Sequence, residues 1–481
     1  MNRSHRWYDL ITINVYWLGL SGLSQTMTPL IMPLLVQQFV GEALKGTYYG
    51  NLRLWTLMTA ILVQSLMGVL SDRSSHPWGR RRPFILAGTL GVIVLLVLVG
   101  LNSEGTGFGA YWLFFGLMII LMVFANTAHA AVQGLIPDLV PDEKRGRYSA
   151  VKALFEVPLP VIFVAFVIAR LVSTGNIWGG LMVLIALLVV VMVLSMFIPE
   201  QRHQQPADKM DWKPFIRLFV MTGVFTVLIL AVGQGIRGFS ILYSPNQTPV
   251  MTLVVLGFVG IVSMLITILA GVLFSTRIGL GEDIKLAPSF PWWVINRLAF
   301  LVGSTNLLSF IIYFIQGRFG FTSTAAAVPA ATLTQFVGIF ILISVIPGGW
   351  LADRFGKKKL VYAAGIFAFI GTLIAIFSPN LTVFYAGGII LGIGIGQFYT
   401  ANWALGTELV PQDQAGRFLG VSNLAGAGAG AIGAYLGGPL ADAAARLAPE
   451  IPGGGYLLLF WIFALLFLFS LVTLTFIKEK L

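Results

Sequence analysis

Gly68-Val-Leu-Ser-Asp72-Arg73, followed after a short insert by Gly79-Arg80-Arg81-Arg82-Pro83, is a dense polar stretch between two long apolar runs. A second stretch of the same pattern occurs far downstream, as Gly349-Trp-Leu-Ala-Asp353-Arg354-Phe-Gly356-Lys357-Lys358-Lys359. In both stretches an aspartate follows a glycine by four residues, and a basic cluster comes after it. Two such stretches in one chain indicate a duplicated unit.

A second repeated motif supports this duplication. The sequence Leu139-Val-Pro-Asp-Glu-Lys-Arg-Gly146-Arg147 has a downstream counterpart in Leu409-Val-Pro-Gln-Asp-Gln-Ala-Gly416-Arg417. Internal repeats of this kind are typical of secondary transporters, whose substrate site lies between the repeats. We therefore predict an N-terminal six-helix bundle over 1–198, a linker with two extra helices over 199–290, and a C-terminal six-helix bundle over 291–481.

The composition is that of a membrane protein. Of 481 residues, 57% are hydrophobic and only 10% are charged, whereas a soluble domain carries roughly 25% charged residues. Many apolar runs exceed about 18 residues, the length that indicates a membrane-spanning helix. We predict an all-α membrane protein with fourteen spans, near 10–39, 48–71, 83–101, 108–136, 147–172, 177–198, 214–236, 250–275, 291–316, 325–351, 360–378, 381–406, 416–443 and 455–477.

The charges indicate topology rather than a nucleic-acid partner. The net charge is +11, which alone could suggest an acidic partner. Most basic residues, however, fall in alternate loops, as the positive-inside rule requires. We predict both termini in the cytoplasm, a plasma (inner) membrane location and no nucleic-acid partner. The chain has no cysteine, which excludes disulfides and thiolate metal sites.

The two polar stretches have two interpretations. The charges could only set topology, which accounts for the basic residues but not for an aspartate in both copies. Alternatively, the carboxylate pairs with arginine and a neighbouring helix N-terminus, forming a latch that opens as helix bundles move. We predict such a gating latch, formed by Gly68, Asp72, Arg73, Gly79, Arg80 and Arg81 in the first copy and Gly349, Asp353, Arg354, Gly356 and Lys357 in the second.

Three titratable residues in the predicted spans are candidates for proton coupling. Lys152 and Glu156 lie one helical turn apart on one face of the fifth span, and a carboxylate inside a membrane usually marks an ion or substrate path. The pair could instead be purely structural. His129, in the fourth span, could titrate near neutral pH or be a hydrogen-bonded interior histidine.

A polar solute needs amides, hydroxyls and aromatic faces within the membrane. Each such residue could equally link helices by hydrogen bonds, and Arg297 could extend its side chain to the inner interface or hold an anionic substrate. The candidates for substrate binding are Gln25, Asn126, Arg297, Asn306, Gln335, Gln397, Tyr399, Asn402 and Trp403.

The segment Gly428-Ala-Gly430-Ala-Ile-Gly433 matches a dinucleotide-binding fingerprint by letter. That fingerprint needs a preceding strand and a βαβ unit, whereas this segment lies in an apolar span. We predict instead that its small residues let helices approach closely, and we predict no cofactor.

These residues resemble the major facilitator superfamily, whose loop between the second and third helices carries G-x-x-x-D-R-x-x-G-R-[RK]. Ser71-Asp72-Arg73 with Gly79-Arg80-Arg81-Arg82-Pro83 is similar to the sucrose:proton symporters and the wider glycoside–pentoside–hexuronide group, as are Ala125-Asn126-Thr127 and Pro137-Asp138-Leu139. Where those symporters carry an acidic residue and an arginine, this chain has Met122 and Gln133. The resemblance implies a cavity lined by the first, fourth, seventh and tenth superfamily helices.

The resemblance implies a secondary active transporter that moves a small polar solute, a sugar or glycoside, by alternating access with proton or sodium coupling. Two alternatives remain: a proton-coupled exporter of amphipathic, drug-like compounds, and a transporter fold reused as a receptor or assembly factor. An enzyme is not expected, because the sequence has no paired carboxylates, activated nucleophile or phosphate loop. The expected partners are the solute, the coupling ion and the lipid bilayer, with the protein acting as a monomer.

Overall fold

The computed structural model describes residues 6, 8–200, 212–245, 247–411 and 415–478, without the side chains of 415–417 and 423. Within these ranges the chain forms helices and no strands, which confirms the predicted all-α class. A helical segment occupies each of the fourteen predicted spans. In chain order they are α1 (16–40), α2 (Lys45–Asp72), α3 (Arg82–Asn102), α4 (Gly107–Gln133), α5 (Asp142–Ser173), α6 (Ile177–Ser195), α7 (Lys213–Leu242), α8 (Pro249–Leu280), α9 (Phe290–Ser309 continuing as Ile311–Phe319), α10 (Ala327–Phe355), α11 (Lys357–Phe377), α12 (Leu381–Leu409), α13 (Ala415–Leu447) and α14 (Gly454–Leu474).

Eleven of these helices are each long and apolar enough to cross a membrane by themselves, within the described ranges. Helix α9 is a twelfth if its two parts form one span, since they bend by 60° at Phe310. Helix α1 is interrupted by a π-helical turn, Met27–Ile31, that contains Pro29. A proline inside a helix removes a backbone hydrogen bond and clashes with the preceding turn, which accounts for the interruption.

Local sequence explains where several helices begin. Helix α3 starts directly before Pro83, which fits the first turn of a helix because that turn has no backbone partner for the missing N–H. The side chain of Asn380 accepts a hydrogen bond from the N–H of Val383 at 3.0 Å and caps α12. Thr248 caps α8 through the N–H of Met251 at 3.4 Å.

The chain divides into two compact units. One comprises the described residues of 1–35 and 59–215, and the other those of 36–58 and 216–481. Helix α2 therefore contributes its first half to the second unit and its second half to the first. The division predicted from sequence, 1–198, 199–290 and 291–481, describes the repeat rather than these units and stays a prediction.

Each unit has its own apolar core. In the first unit, Ile13, Trp17, Ile85, Val132 and Val191 belong to one buried cluster. In the second unit, aromatic rings stack across helices: the ring centroids of Phe300 and Phe398 lie 3.6 Å apart, and those of Phe314 and Phe460 lie 3.9 Å apart.

The two extra helices pack within the second unit. A Cβ atom on Gly260 of α8 would lie 2.7 Å from the side chain of Ile462 in α14 and 2.8 Å from that of Leu440 in α13, so these helices pack closely at this glycine. Arg446 of α13 donates a hydrogen bond to the carbonyl oxygen of Ser240 in α7 at 2.7 Å.

Close packing also confirms the interpretation of the glycine-rich segment in α13. Added Cβ atoms would lie 2.7 Å from the ring of Phe225 at Gly428 and 2.2 Å from the amide nitrogen of Asn306 at Gly433. These glycines therefore allow neighbouring side chains to contact the backbone of α13.

Candidate functional site

The first polar stretch forms a dense ionic network around Arg81. The Arg81 guanidinium pairs with the carboxylates of Asp72 and Asp138, the latter at 2.9 Å, and donates to the hydroxyl of Ser71 at 2.6 Å. Arg80 also pairs with Asp138, with its Nε 3.2 Å from Oδ2. Arg81 is only 4% exposed, so this cation depends on its two carboxylate partners.

Glu200 also contacts this network. Its carboxylate accepts hydrogen bonds from the backbone N–H groups of Arg81 at 2.8 Å and Arg82 at 3.0 Å, at the N-terminus of α3. Gly79 has φ +105°, and a Cβ there would lie 2.5 Å from the Glu200 carboxylate. Burial raises the pKa of Glu200 above its ordinary value, against the opposing effect of these hydrogen bonds.

The second polar stretch is simpler. Lys357 forms an ion pair with Glu408, and Arg354 lies over the ring of Trp350 at 5.1 Å. Gly356 has φ +95°, so each copy has a glycine in the left-handed region directly before its basic cluster. Asp353 is exposed and has no ion-pair partner among the described side chains.

The two networks share one repeated feature that sequence reasoning missed. Asp138 and Glu408 each directly precede a Leu-Val-Pro motif. Each forms an ion pair with a residue of the basic cluster in its own copy, Asp138 with Arg80 and Glu408 with Lys357. An acidic residue at the same place in both repeats was the available signal. The predicted latch residues meet around Asp72 in the first copy but not around Asp353, and their role in gating stays a prediction.

A second polar cluster, the Glu156 cluster, lies within the helices of the first unit. It consists of Trp17 from α1, His129 and Gln133 from α4, and Lys152 and Glu156 from α5. Lys152 pairs with Glu156 at 3.3 Å, and its Nζ lies 3.9 Å from the ring centroid of Trp17. The Trp17 and His129 rings meet edge to face at 5.5 Å, and the His129 and Gln133 side chains are 3.2 Å apart.

The Glu156 cluster sits where the helix is irregular. Val157 breaks α5 immediately after Glu156, and Pro158 starts the next helical turn. Such a break frees backbone groups and allows local movement. The side chains of Lys152 and Glu156 are 30% and 39% exposed, so the pair remains accessible from outside the protein core.

The substrate-binding candidates of the first unit lie outside the Glu156 cluster. Asn126 is buried and donates to the carbonyl oxygen of Met122 at 2.8 Å, within its own helix. Gln25 is half-buried in α1. Trp17, which was not a candidate, contacts both Lys152 and His129. Nothing in the local sequence separates it from other membrane tryptophans.

The Arg297 cluster is the corresponding polar group of the second unit, and it joins α9 to α12. It consists of Trp293, Asn296, Arg297, Tyr399, Asn402 and Trp403. Arg297 donates to the side-chain oxygen of Asn402 at 3.2 Å. The side-chain nitrogen of Asn402 donates to the side-chain oxygen of Asn296 at 2.8 Å, and Asn296 donates to the carbonyl oxygen of Ser470 at 2.7 Å.

Aromatic rings surround the Arg297 guanidinium. The centroids of Trp293 and Trp403 lie 5.9 Å and 5.1 Å from its central carbon. Trp293 also donates its Nε1–H to the carbonyl oxygen of Asn402 at 2.8 Å. Trp403 and Tyr399 are 39% and 40% exposed, so aromatic surface is available beside a fixed cation and amide.

The remaining candidates of the second unit are not part of the Arg297 cluster's hydrogen bonds. Asn306 is fully buried and donates to the carbonyl oxygen of Ala429 at 3.0 Å, linking α9 to α13. Gln397 is 8% exposed, and among the described residues its side-chain oxygen has no hydrogen-bond partner. Gln335 is half-buried in α10.

A further group, also missed from sequence, surrounds the N-terminus of α2 in the second unit. Asp442 of α13 accepts hydrogen bonds from the backbone N–H groups of Gly46 and Thr47. Lys45 pairs with Glu42 at 2.6 Å and lies 4.6 Å from the ring centroid of Tyr313. A cavity of about 840 Å³ is lined by Glu42, Lys45, Thr47, Tyr313 and Asp442.

The helical fold with two related polar stretches defines a multi-pass integral membrane protein built on an internal repeat. A family model described as "Major Facilitator Superfamily" matches residues 17–295 and again 293–480. The chain therefore belongs to the major facilitator superfamily. This match confirms the predicted family and fold, and it classes the chain with transporters rather than enzymes.

Curated relatives match only in part. The chain is 31% identical over 90 residues to the minor myo-inositol transporter IolF of Bacillus subtilis (19% of this chain, 20% of the relative). It is 28% identical over 145 residues to myo-inositol transporter 2 of Schizosaccharomyces pombe (29% and 26%), and 32% identical over 114 residues to a D-xylose transporter of Levilactobacillus brevis (23% and 24%). The matched part spans about a quarter or less of these relatives' lengths.

Solved structures match along the whole chain. A mutant of the nucleoside transporter NupG is similar with a TM-score of 0.68 at 10% identity, over 98% of this chain and 100% of that one. A D-xylose–proton symporter is similar with a TM-score of 0.64 at 14% identity, over 98% of each chain. At such low identity these likenesses show the fold alone.

Proposed function

We propose that this protein is a secondary active transporter that moves a small polar solute, a sugar or glycoside, by alternating access with proton coupling. The observation that carries the proposal is the Glu156 cluster, an accessible carboxylate–lysine pair within the membrane helices. Ionisable groups within membrane-spanning helices are costly and persist chiefly where an ion or substrate passes. We also propose a monomer in the plasma membrane with both termini in the cytoplasm.

Glu156 is the proposed proton carrier. Its ion pair with Lys152 is neutral when the carboxylate is ionised. Proton binding to Glu156 removes the carboxylate charge and leaves Lys152 as a net cation beside the face of Trp17, where a cation–π contact holds it. The loaded cluster thus carries one more positive charge than the empty one, so net uptake of a neutral solute should be driven by an inside-negative potential as well as by a pH gradient.

The Arg297 cluster supports a polar solute. Hydroxyl-rich solutes are bound by a few fixed polar groups beside aromatic faces. Asn402 is fixed by three interactions, with Arg297, Asn296 and Trp293, while the Trp403 and Tyr399 rings remain partly exposed. Partial matches to proteins named as myo-inositol and D-xylose transporters agree with this solute class.

The latch is proposed to bias the conformational equilibrium. The first polar stretch fixes the end of α2 to the start of α3 and to the segment after α4, through Asp72, Arg81 and Asp138. A ligand shifts such an equilibrium only by its differential affinity for the two states. Breaking the latch should therefore change how often each state occurs, without altering the solute-binding groups.

The proposal is tested in liposomes that contain the purified protein and an internal pH-sensitive dye. Externally added monosaccharides, disaccharides or inositol should acidify the lumen with the wild type but not with Glu156→Gln. The matched control is Glu104→Gln, at an exposed glutamate between α3 and α4, which should behave like the wild type. Failure of every solute to acidify wild-type liposomes would refute proton-coupled transport of this class, and attention would pass to export of amphipathic compounds or to a receptor role.

A further inference from the structure

Arg297 has no carboxylate partner among the described residues. The unit's described ion pairs are Glu42 with Lys45, Glu282 with Lys285, and Glu408 with Lys357. Asp442 accepts backbone N–H bonds at the start of α2. Arg297 lies seven residues into α9, about 10 Å along the helix axis, where a cation without a counter-charge is costly.

The guanidinium also has free hydrogen-bonding capacity. An arginine side chain carries five N–H donors, and within the described residues the only hydrogen bond that Arg297 makes is to Asn402. Its Nε is buried without a partner. Planar guanidinium donors match carboxylate and phosphate oxygens in pairs, so the free donors fit an oxyanion better than a neutral hydroxyl.

The neighbours of Arg297 fix it without neutralising it. Asn402 presents its side-chain oxygen to Arg297 because its nitrogen is committed to Asn296. Trp293 and Trp403 lie against the guanidinium through their ring faces, which stabilises a cation but supplies no charge. The cation is therefore held in place with its charge still uncompensated.

We propose that the transported solute carries an anionic group, a carboxylate or a phosphate, and that Arg297 binds this group while Trp403 and Tyr399 contact the rest of the solute. This inference rests on the proposed function, because it specifies the solute of the same transporter. The inferred solute differs from a neutral sugar in one respect, its negative charge, which supplies the counter-ion that Arg297 lacks among the described residues. A sugar acid or a sugar phosphate satisfies both the cation and the aromatic faces.

The test is calorimetric titration of the purified full-length protein in detergent at pH 7. The solutes are D-glucose, D-glucuronate, glucose 6-phosphate and acetate, which separate ring recognition from charge recognition and carboxylate from phosphate. Wild-type protein should bind glucuronate or glucose 6-phosphate about 10- to 100-fold more tightly than glucose, the range expected for charge-assisted hydrogen bonds. Acetate should bind more weakly than the sugar acid.

The variants then assign the effect to one side chain. Arg297→Gln should remove the preference for the charged sugar over glucose, and Arg297→Lys should keep part of that preference. Arg170→Gln is the matched control, since Arg170 is an exposed arginine at the end of α5 in the other unit. Its preference should equal that of the wild type.

Several results would overturn the inference. Equal affinity of the wild type for glucose and for both charged sugars would show that the site does not recognise the negative charge. This result is obtained with the wild type alone, so it does not depend on whether a variant folds. A preference that survives in Arg297→Gln would place the anion elsewhere. Equal loss of all solutes in Arg297→Gln would make Arg297 structural. Binding of glucose alone would also overturn the inference but leave the proposed function intact. Binding of none of the four solutes would overturn the inference, and the liposome assay would then decide the proposed function.

Discussion

The Asp442 carboxylate accepts a hydrogen bond from the backbone N–H of Thr47 at 2.7 Å and another from Gly46 at 3.0 Å. A side chain of α13 thus caps α2, a helix almost 400 residues earlier in the chain. At its other end, α2 finishes at Asp72, which pairs with Arg81. A carboxylate therefore contacts each end of α2.

Replacing Asp442 with asparagine should loosen the start of α2. Asparagine keeps one acceptor oxygen but loses the charge that favours a helix N-terminus, at a cost of about 0.5–2 kcal/mol. Amide hydrogen exchange measured by mass spectrometry should become about 2- to 30-fold faster in residues 46–50. Glu450→Gln, at an exposed glutamate after α13, is the control. Unchanged exchange in Asp442→Asn would show that the cap does not hold the helix.

Replacing Gly50 with alanine should separate α2 from α13. A Cβ at Gly50 would lie 2.2 Å from the carbonyl oxygen of Ala434, a contact that backbone atoms cannot relieve without moving. We expect a loss of about 1–3 kcal/mol, measured by thermal unfolding in detergent. Gly116→Ala in α4 meets nothing within 4 Å and should be neutral or slightly stabilising, because alanine is the better helix former. Equal effects of the two substitutions would contradict this packing.

The repeat-related carboxylates Asp138 and Glu408 should differ in how much each contributes to the free energy of unfolding. Asp138→Asn removes a partner of Arg81, which is nearly fully buried, and we expect a loss of about 2–4 kcal/mol. Glu408→Gln breaks a pair whose side chains are 24% and 54% exposed, so at most about 1 kcal/mol should be lost. Denaturant unfolding of both variants tests this order. A larger loss of stability in Glu408→Gln than in Asp138→Asn would mean that the ion pair of the second copy is the stronger one.

Glu200 should make stability depend on pH. Burial raises its pKa in the folded protein above the ordinary value of 4.5, so the folded state binds a proton more readily than the unfolded state. The contribution of Glu200 to stability therefore increases as pH falls through the raised pKa towards 4.5, and it is lost as pH rises.

Comparison with Glu200→Gln isolates this contribution from those of other carboxylates. The difference in unfolding free energy, wild type minus variant, should increase as pH is lowered from 7 to 5. A difference that stays flat or decreases over this interval would mean that the hydrogen bonds from Arg81 and Arg82 outweigh burial.

Features that depend on local sequence were predictable. The i, i+4 spacing of Lys152 and Glu156 predicts their ion pair, and apolar runs predict the positions of the fourteen helices. The glycine before each basic cluster follows from the repeat, and its positive φ supplies the physical reason.

Contacts between distant segments were not predictable. Glu200 lies 119 residues from Arg81, whose backbone N–H it accepts, and Asn296 lies 106 residues from Asn402. A single sequence carries no signal for such pairings, because any buried amide or carboxylate would satisfy the same local pattern. The interruption of α1 at Met27–Ile31 is similar, since Pro29 alone predicts a kink but not a π-helical turn.

The central claim, that Glu156 couples proton movement to solute transport, is tested most directly by comparing two flux modes in the same vesicles. One is accumulation of a radiolabelled solute driven by a pH gradient, and the other is exchange of labelled for unlabelled solute without a gradient. In Glu156→Gln the account predicts that accumulation is lost while exchange continues, because the solute-binding groups remain intact. Accumulation at the wild-type rate in Glu156→Gln would contradict it.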